Sequence, residues 1–72
     1  MDNDKGIEYQ IAENLKKHRK DKNISQMKLA ELADIHFTYY SQIERALRKD
    51  ISVRVLKKIA DALSITLNDL VA

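Results

Sequence analysis

The chain contains no cysteine, no proline and a single glycine among its 72 residues. Without cysteine it forms neither disulfides nor thiolate metal sites, and it has no thiol nucleophile, which fits a reducing compartment. Proline and glycine mark turns and strand ends, so their scarcity argues against a loop-rich or strand-rich fold. Leu, Ile, Ala, Lys and Glu are frequent instead, and these residues favour helices.

Membrane and export signals are also lacking. No apolar run reaches the roughly 18 residues that a membrane span needs. The first residues, MDNDKG, contain no basic segment followed by an apolar core, so we expect no signal peptide and a cytoplasmic location. A domain of this size buries only about 60% of the surface that its unfolded chain exposes. Its stability is therefore expected to be marginal unless it dimerises.

The net charge of +2 says little about a partner, but the basic residues are clustered along the chain. The clusters are Lys16, Lys17, Arg19, Lys20 and Lys22; Arg45, Arg48 and Lys49; and Arg54, Lys57 and Lys58. Acidic residues are densest near the N-terminus, at Asp2, Asp4, Glu8 and Glu13. This segregation predicts either a basic face for a nucleic acid or ordinary solvated helix surfaces.

The stretch SQMKLAELADIHFTYYSQIER, residues 25–45, organises the chain. We predict three segments within it: Gln26–Ala33 as a helix, Asp34–His36 as a tight turn and Phe37–Arg45 as a second helix. Leu29, Ala30 and Ala33 share one face of the first helix, and the small Ala30 lets the two helices cross closely. This pattern is typical of a helix-turn-helix.

Further helices are predicted on both sides of this stretch, at about Ile7–Lys20, Val53–Leu63 and Leu67–Val71. The apolar stripe of the first is Ile7, Ile11 and Leu15. N-caps are expected at Ser25, Ser52 and Thr66. Asn23 is expected to end the first helix in a left-handed conformation. Residues 1–6 are expected to be a flexible N-terminus, and residues 7–72 the folded domain.

The helix-turn-helix stretch resembles that of the lambda-repressor-like family of phage repressors, Cro proteins and bacterial regulators. Matching residues are Ser25, Gln26, Leu29, Ala30, Ile35, Ser41, Ile43 and Glu44. The resemblance extends over about residues 11–70 and departs at Asp34 and Ala46, where the family usually has glycine, and at Tyr40, where it has Ile or Val. It implies an all-α fold, a compact five-helix DNA-binding domain with the helix-turn-helix as helices two and three.

Two of the departures concern backbone conformation. Asp34 tolerates the positive φ that a tight turn requires, whereas Ala46 would be strained in a left-handed cap. At Ala46 we therefore expect either a longer helix or a loop that differs from the family's. The resemblance also implies a buried ion pair between Arg19 and Glu44, with a structural role.

The resemblance further implies contacts with double-stranded DNA. The residues expected to read bases are His36, Phe37, Thr38, Ser41 and Gln42, and those expected to contact phosphates are Ser25, Gln26, Tyr39, Arg45, Arg48 and Lys49. The chemistry is suitable, because glutamine can bond adenine N6 and N7, and phenylalanine or a threonine methyl can pack on a thymine methyl. The free amides at a helix start such as that after Ser25 form an anion site.

The function that follows is a sequence-specific transcriptional regulator, such as a Cro-like repressor, that binds a pseudo-palindromic operator as a homodimer. The recognition helix would lie in the major groove, with half-sites about 34 Å apart. We expect the dimer interface to lie on this domain. Candidates, each of which can instead belong to the core, are Ile51, Val53, Ile65, Leu67 and Val71.

Two other function classes are considered. In a protein-interaction module of the same fold, such as an antitoxin or bridging factor, an exposed Phe37 would be a hot spot for a partner; alternatively Phe37 folds back onto Tyr40 or the first helix. An enzyme is not expected, because the sequence offers no credible carboxylate pair, activated nucleophile or phosphate loop. His18 and His36 lie too far apart in sequence to predict a metal site, and neither a cofactor nor a small-molecule ligand is evident.

Overall fold

The computed structural model describes residues 6–72, and within that range the chain forms five helices and no strand. They are α1 (Ile7–Asp21), α2 (Gln26–Ala33), α3 (Phe37–Glu44), α4 (Val53–Leu63) and α5 (Leu67–Val71). The all-α prediction is confirmed, and α2, α4 and α5 have the predicted bounds. α3 ends one residue earlier than predicted, because Arg45 is its C-cap. The predicted flexible N-terminus falls on residues 1–5, which lie outside the described residues, and on Gly6, the N-cap of α1.

All five helices contribute to one apolar core. α1 packs against α3 and α5, α2 packs against α3 and α4, and α4 packs against α5. The buried residues of the core are Ile11, Leu15, Leu29, Ala30, Ala33, Tyr40, Ile43, Leu56, Ile59, Ala60, Leu63 and Leu70. Since α3 is supported by α1 and α2 on its inner side, its opposite face remains available at the surface. No helix among residues 6–72 combines the length and the apolar character that crossing a bilayer requires.

The predicted N-caps all form. The Ser25 hydroxyl accepts a hydrogen bond from the Lys28 amide at 3.0 Å, and the Ser52 hydroxyl accepts one from the Val55 amide at 3.1 Å. Thr66 and Asp69 form a complete capping box at the start of α5. These side chains satisfy amides that have no partner inside the helix, so the starts of α2, α4 and α5 are fixed locally by their own sequence.

The first, second, third and fourth helices end in the same way, and none of them uses glycine. A residue with positive φ follows each helix: Asn23 at 58°, Asp34 at 57°, Ala46 at 61° and Ser64 at 59°. After each of them, the next amide donates to a carbonyl five residues earlier, as from Ile35 to Ala30 at 3.0 Å. This is the Schellman arrangement, and its hydrogen bonds satisfy the last carbonyls of each helix. The left-handed conformations predicted for Asn23 and Asp34 are confirmed.

Ala46 takes the conformation that was expected to be strained, and the alternative of a longer helix is wrong. The helix is closed by hydrogen bonds from the Ala46 amide to the Ile43 carbonyl at 3.0 Å and from the Leu47 amide to the Gln42 carbonyl at 2.9 Å. Holding a residue that has a Cβ in this region costs about 1–2 kcal/mol. The two hydrogen bonds offset that cost and turn the chain sharply after α3.

Two features of α1 differ from the sequence analysis. Ile7, predicted as part of the apolar stripe, is 56% exposed. Side chains on a helix lean toward its N-terminus, so that of Ile7, at the first position, projects past the packed surface. Asn14 was not singled out, yet its side-chain amide donates to the Leu70 carbonyl at 2.7 Å. This bond satisfies a carbonyl at the end of α5, a helix too short to be stable alone.

Replacing Ala46 with glycine is expected to stabilise the fold. Glycine removes the cost of a left-handed alanine, about 1–2 kcal/mol, but adds entropy to the unfolded chain worth about 0.4–1 kcal/mol. The net expectation is a gain of about 0.5–1 kcal/mol in the free energy of unfolding. Urea titration followed by circular dichroism measures it.

Ala62→Gly is the matched control, because Ala62 lies inside α4 with helical backbone angles. There the same substitution should lower the free energy of unfolding by about 0.5–1 kcal/mol. Equal losses in the two variants would contradict the strain assigned to Ala46.

Candidate nucleic-acid interface

The helix-turn-helix is held to α1 by a buried carboxylate. Glu44, the last residue of α3, is only 2% exposed. Arg19 of α1 donates two hydrogen bonds to this carboxylate, from Nε to Oε2 at 2.8 Å and from Nη2 to Oε1 at 2.9 Å. A third donor of the same guanidinium, Nη1, bonds the Ile24 carbonyl at 2.9 Å. The predicted pair therefore forms in the fork-shaped geometry that arginine and carboxylate favour.

Two further side chains donate to the same carboxylate. The buried Tyr40 hydroxyl donates to Oε2, and the Gln26 side-chain amide donates to Oε1 at 2.8 Å. Neither bond was predicted from the sequence. Tyr40 and Glu44 are four residues apart on one helix face, a spacing that brings side chains into contact and that signals this bond. We call Arg19, Gln26, Tyr40 and Glu44 the carboxylate cluster.

The carboxylate cluster keeps its charges. Burial alone would raise the pKa of Glu44, but hydrogen bonds from Arg19, Tyr40 and Gln26 together hold it below its usual range. The bond to Glu44 raises the pKa of Arg19. Burial and then the bond to Glu44 raise the pKa of the Tyr40 hydroxyl far above its ordinary value. At neutral pH the cluster therefore contains a carboxylate, a guanidinium and a neutral phenol.

The outer side of α3 carries a groove of about 470 Å³, lined by His36, Thr38, Tyr39, Gln42 and Arg48. Three of these are predicted base readers and two are predicted phosphate contacts. His36 is the N-cap of α3, as predicted, but its ring makes no capping hydrogen bond. The ring is therefore available to an external group. The turn after α3 brings Arg48 back beside this helix.

The remaining predicted base readers, Phe37 and Ser41, are on α3 but do not line the groove. Phe37 is 40% exposed, so its ring stays at the surface instead of being buried against Tyr40 or α1. Ser41 is half-buried. The exposed Phe37 ring offers apolar contact area to a partner.

The predicted phosphate contacts that do not line the groove lie at two other places in the chain. Ser25 and Gln26 lie at the start of α2, where free amides give the helix end a partial positive charge. Gln26 has a second N–H besides the one that donates to Glu44. Arg45 and Lys49 are exposed at and after the end of α3, and neither forms an ion pair within residues 6–72. Their charges are therefore not neutralised locally.

Arg48 makes two contacts that the sequence analysis did not find. Its Nη1 donates to the Gln42 side-chain oxygen at 3.4 Å. Its guanidinium carbon lies 4.7 Å from the centre of the Tyr39 ring, within the range of a cation–π interaction. Six residues separate Arg48 from Gln42, and only the turn at Ala46 brings them together, so helical spacing carries no signal for this contact.

The candidate dimer-interface residues divide into two groups. Ile51, Ile65 and Leu67 are half-buried and pack against the core. Val53 is 69% exposed and Val71 is 37% exposed, so these two are the candidates with apolar surface to cover.

Loss of the Glu44 carboxylate is expected to destabilise the fold strongly. Glu44→Ala leaves the Arg19 guanidinium without its partner in a mostly buried position, at a cost of about 3–5 kcal/mol.

Tyr40→Phe removes one hydrogen bond to the charged group and should cost about 1.5–3 kcal/mol. Thermal and urea unfolding measure both. Tyr39→Phe is the control, since the Tyr39 hydroxyl is outside the cluster and its loss should change little; equal stability of all the variants would contradict the role of the cluster.

The lowered pKa of Glu44 predicts an acid-sensitive fold. A folded-state pKa below that of the unfolded chain, about 4.3, means that the unfolded state binds more protons in this range. The stabilisation is complete above that value and is lost as the pH falls through the folded-state pKa. Melting temperatures from about pH 7 to about pH 2 should therefore fall more steeply for the wild type than for Glu44→Gln. Asp69, whose pKa its capping-box bonds also lower, is present in both proteins and cancels in the comparison. Parallel curves would contradict the assignment.

The sequence has recognisable relatives. The helix-turn-helix family profile matches residues 15–70. Control protein C.MunI from Mycoplasma is 40% identical over 65 residues, which cover 89% of this chain and 86% of that protein. The HTH-type transcriptional regulator SinR from Bacillus subtilis is 35% identical over 60 residues, which cover 83% of this chain. Those residues are 54% of SinR, so the chain spans about half the length of that relative.

Solved structures share the fold. The restriction-modification controller protein C.AhdI from Aeromonas hydrophila superposes with a TM-score of 0.82 at 30% identity, covering 88% of this chain and 94% of C.AhdI. The hypothetical transcription factor NHTF from Neisseria superposes with a TM-score of 0.89 at 26% identity, covering 100% of this chain and 82% of NHTF. The predicted architecture is thus confirmed. The chain belongs to the Cro/C1-type helix-turn-helix family, the lambda-repressor-like regulators, which are not enzymes.

Proposed function

We propose that the protein is a sequence-specific transcriptional regulator that binds a pseudo-palindromic DNA operator as a homodimer, with α3 in the major groove. The observation that carries the proposal is the outer face of α3. It presents His36, Thr38 and Gln42 around an open groove, on a helix whose inner side is fixed by the carboxylate cluster. With DNA as its partner, the protein is expected to act in the cytoplasm.

The proposed contacts fall into two classes. His36, Phe37, Thr38, Ser41 and Gln42 read base edges, and Ser25, Gln26, Tyr39, Arg45, Arg48 and Lys49 contact phosphates. The phosphate contacts fix the position of the domain on the duplex, whereas the base contacts select the sequence. Arg45 and Lys49, which form no ion pair with the part of the chain that the structure describes, support this division, because a cation without a carboxylate partner gains most from a phosphate.

Dimerisation is proposed on functional grounds. One short recognition helix reads about four base pairs, which is too few to define a unique site in a genome. Two copies of the domain related by symmetry double the number of base pairs that are read. Val53 and Val71 are the candidate interface residues with the most apolar surface in contact with solvent. A symmetric pair of domains would place two α3 helices about 34 Å apart, one turn of DNA.

The relatives support a regulatory role of this kind. C.MunI is a control protein that matches over most of both chains, and C.AhdI is a restriction-modification controller protein of similar fold. We infer a function in controlling transcription for this chain, either as a repressor or as an activator.

Selection from random duplex DNA tests the proposal. The wild-type protein should enrich a palindrome whose half-sites are one helical turn apart. Enrichment of a single half-site would support sequence-specific DNA binding but contradict the homodimer. The absence of any enriched motif would overturn the whole proposal.

A protein-interaction module is the second candidate, and the exposed Phe37 ring favours it. Aromatic residues of this type anchor protein interfaces. Phe37→Ala separates two roles of this ring, because a base-reading role predicts a changed preference at one operator position, whereas a role only in a protein contact leaves the selected DNA unchanged.

Gln42→Ala is expected to relax specificity at a single base position of the selected operator. The loss should be about 1–3 kcal/mol on the preferred sequence and close to zero on sequences that differ only there. Binding titrations on operators with each of the four base pairs at that position measure it.

Lys49→Ala is the control for this experiment. Loss of a phosphate contact should weaken binding to all sequences alike and make the salt dependence shallower by about one charge. If Gln42→Ala behaves as Lys49→Ala should, Gln42 does not read bases.

A further inference from the structure

We propose that Arg48 sets the base preference of Gln42, by holding its side-chain amide so that the NH2 group, and not the oxygen, is presented to the base. The inference rests on the proposed function and specifies the chemistry of one contact. It assigns Arg48, which lies outside α3, a positioning role in addition to its phosphate contact.

The guanidinium is held by two neighbours at once. Nη1 lies 3.4 Å from the Gln42 Oε1 atom, and the guanidinium carbon lies 4.7 Å from the centre of the Tyr39 ring. Both neighbours are on α3 and line the same groove as Arg48. Within residues 6–72, Arg48 forms no ion pair that would draw it elsewhere.

The backbone brings Arg48 to this position. Ala46 has a left-handed conformation, and the following amide, that of Leu47, bonds the backbone carbonyl of Gln42 at 2.9 Å. The chain therefore reverses directly over the turn of α3 that carries Gln42. Arg48 is the next residue, so its side chain needs no further loop to reach the groove.

The chemistry determines which end of the amide faces Arg48. A guanidinium has five N–H donors and no acceptor, whereas a glutamine amide has an acceptor oxygen at one end and two donors at the other. Only the oxygen can face a donor-only group favourably, so the contact fixes the amide orientation. One N–H of Arg48 is used in this way, and the others remain available to a phosphate.

The orientation changes which base suits Gln42. A free glutamine pairs best with adenine, accepting from N6 and donating to N7. In the proposed orientation the oxygen is turned toward Arg48 and the NH2 group toward the base, so Gln42 presents donors there, and guanine offers two acceptors, N7 and O6, on the same edge. We therefore expect the Gln42 position of the operator to be guanine in the wild type, and adenine to become acceptable when Arg48 is removed.

The test compares the wild type, Arg48→Ala and Lys49→Ala on operators that carry guanine or adenine at the position where Gln42→Ala loses its preference. We expect the wild type to favour guanine by about tenfold. Arg48→Ala should bring this ratio to about one or invert it, whereas Lys49→Ala should weaken binding to both operators and keep the ratio. The salt dependence should become shallower in both variants, since each removes one charge.

The outcomes separate this inference from the proposed function. A wild type that prefers adenine, or an Arg48→Ala variant that keeps the guanine preference, overturns the inference and leaves DNA reading intact. A wild type that selects no motif overturns both. A DNA-free measurement adds a direct check of the contact, because the Gln42 side-chain NH2 signals in 15N NMR spectra should shift in Arg48→Ala and not in Lys49→Ala. Unshifted signals in Arg48→Ala would also overturn the inference.

Discussion

Glu44 is an ionised group with almost no access to water, and the geometry of the helix-turn-helix depends on how its charge is satisfied. Taking a carboxylate out of water costs several kcal/mol, so such a group is stable only with well-placed donors. Here the donors come from α1 through Arg19, from α2 through Gln26 and from α3 itself through Tyr40. Any rotation of one of these helices would leave a buried charge unsatisfied. The cluster therefore fixes the angle of α3 more strictly than apolar packing alone, which tolerates small shifts.

This fixed inner side supports the recognition surface that we propose on the outer side of α3. Side chains that read DNA must hold their positions before the duplex arrives, because ordering them on binding would cost affinity. Gln26 connects the two tasks directly, since it bonds Glu44 on the inside and stands at the start of α2, where amides are free to bind an anion. The turn at Ala46 also links the inner and outer sides of α3, because it ends the helix and returns Arg48 to the outer face.

Local signals in the sequence predicted most of the fold. Caps such as Ser25 act within one helical turn, so the residue type and its spacing were sufficient to locate the helix starts. The pairing of Arg19 with Glu44 followed from the family resemblance. The hydroxyl bond of Tyr40 was missed although its four-residue spacing from Glu44 is a signal for it, because residue type alone does not tell whether an inward tyrosine meets a carboxylate or only apolar atoms. The conformation of Ala46 depends on a balance between backbone strain and hydrogen bonds to carbonyls of α3, and a single-residue preference does not determine it. The groove around Arg48 arises from that turn and therefore also lay beyond sequence reasoning.

Mapping of backbone amide shifts by NMR, on adding a duplex that the protein selects, tests the central claim most directly. If the carboxylate cluster holds α3 as a recognition helix, the largest shifts will occur in residues 36–42 and at the start of α2, around Gln26. Amides near Glu44 should keep their free-state pattern of protection from exchange, since the cluster is already formed. Shifts confined to α4 and α5, or a reorganisation of the amides around Glu44 on binding, would contradict a preformed recognition surface on α3.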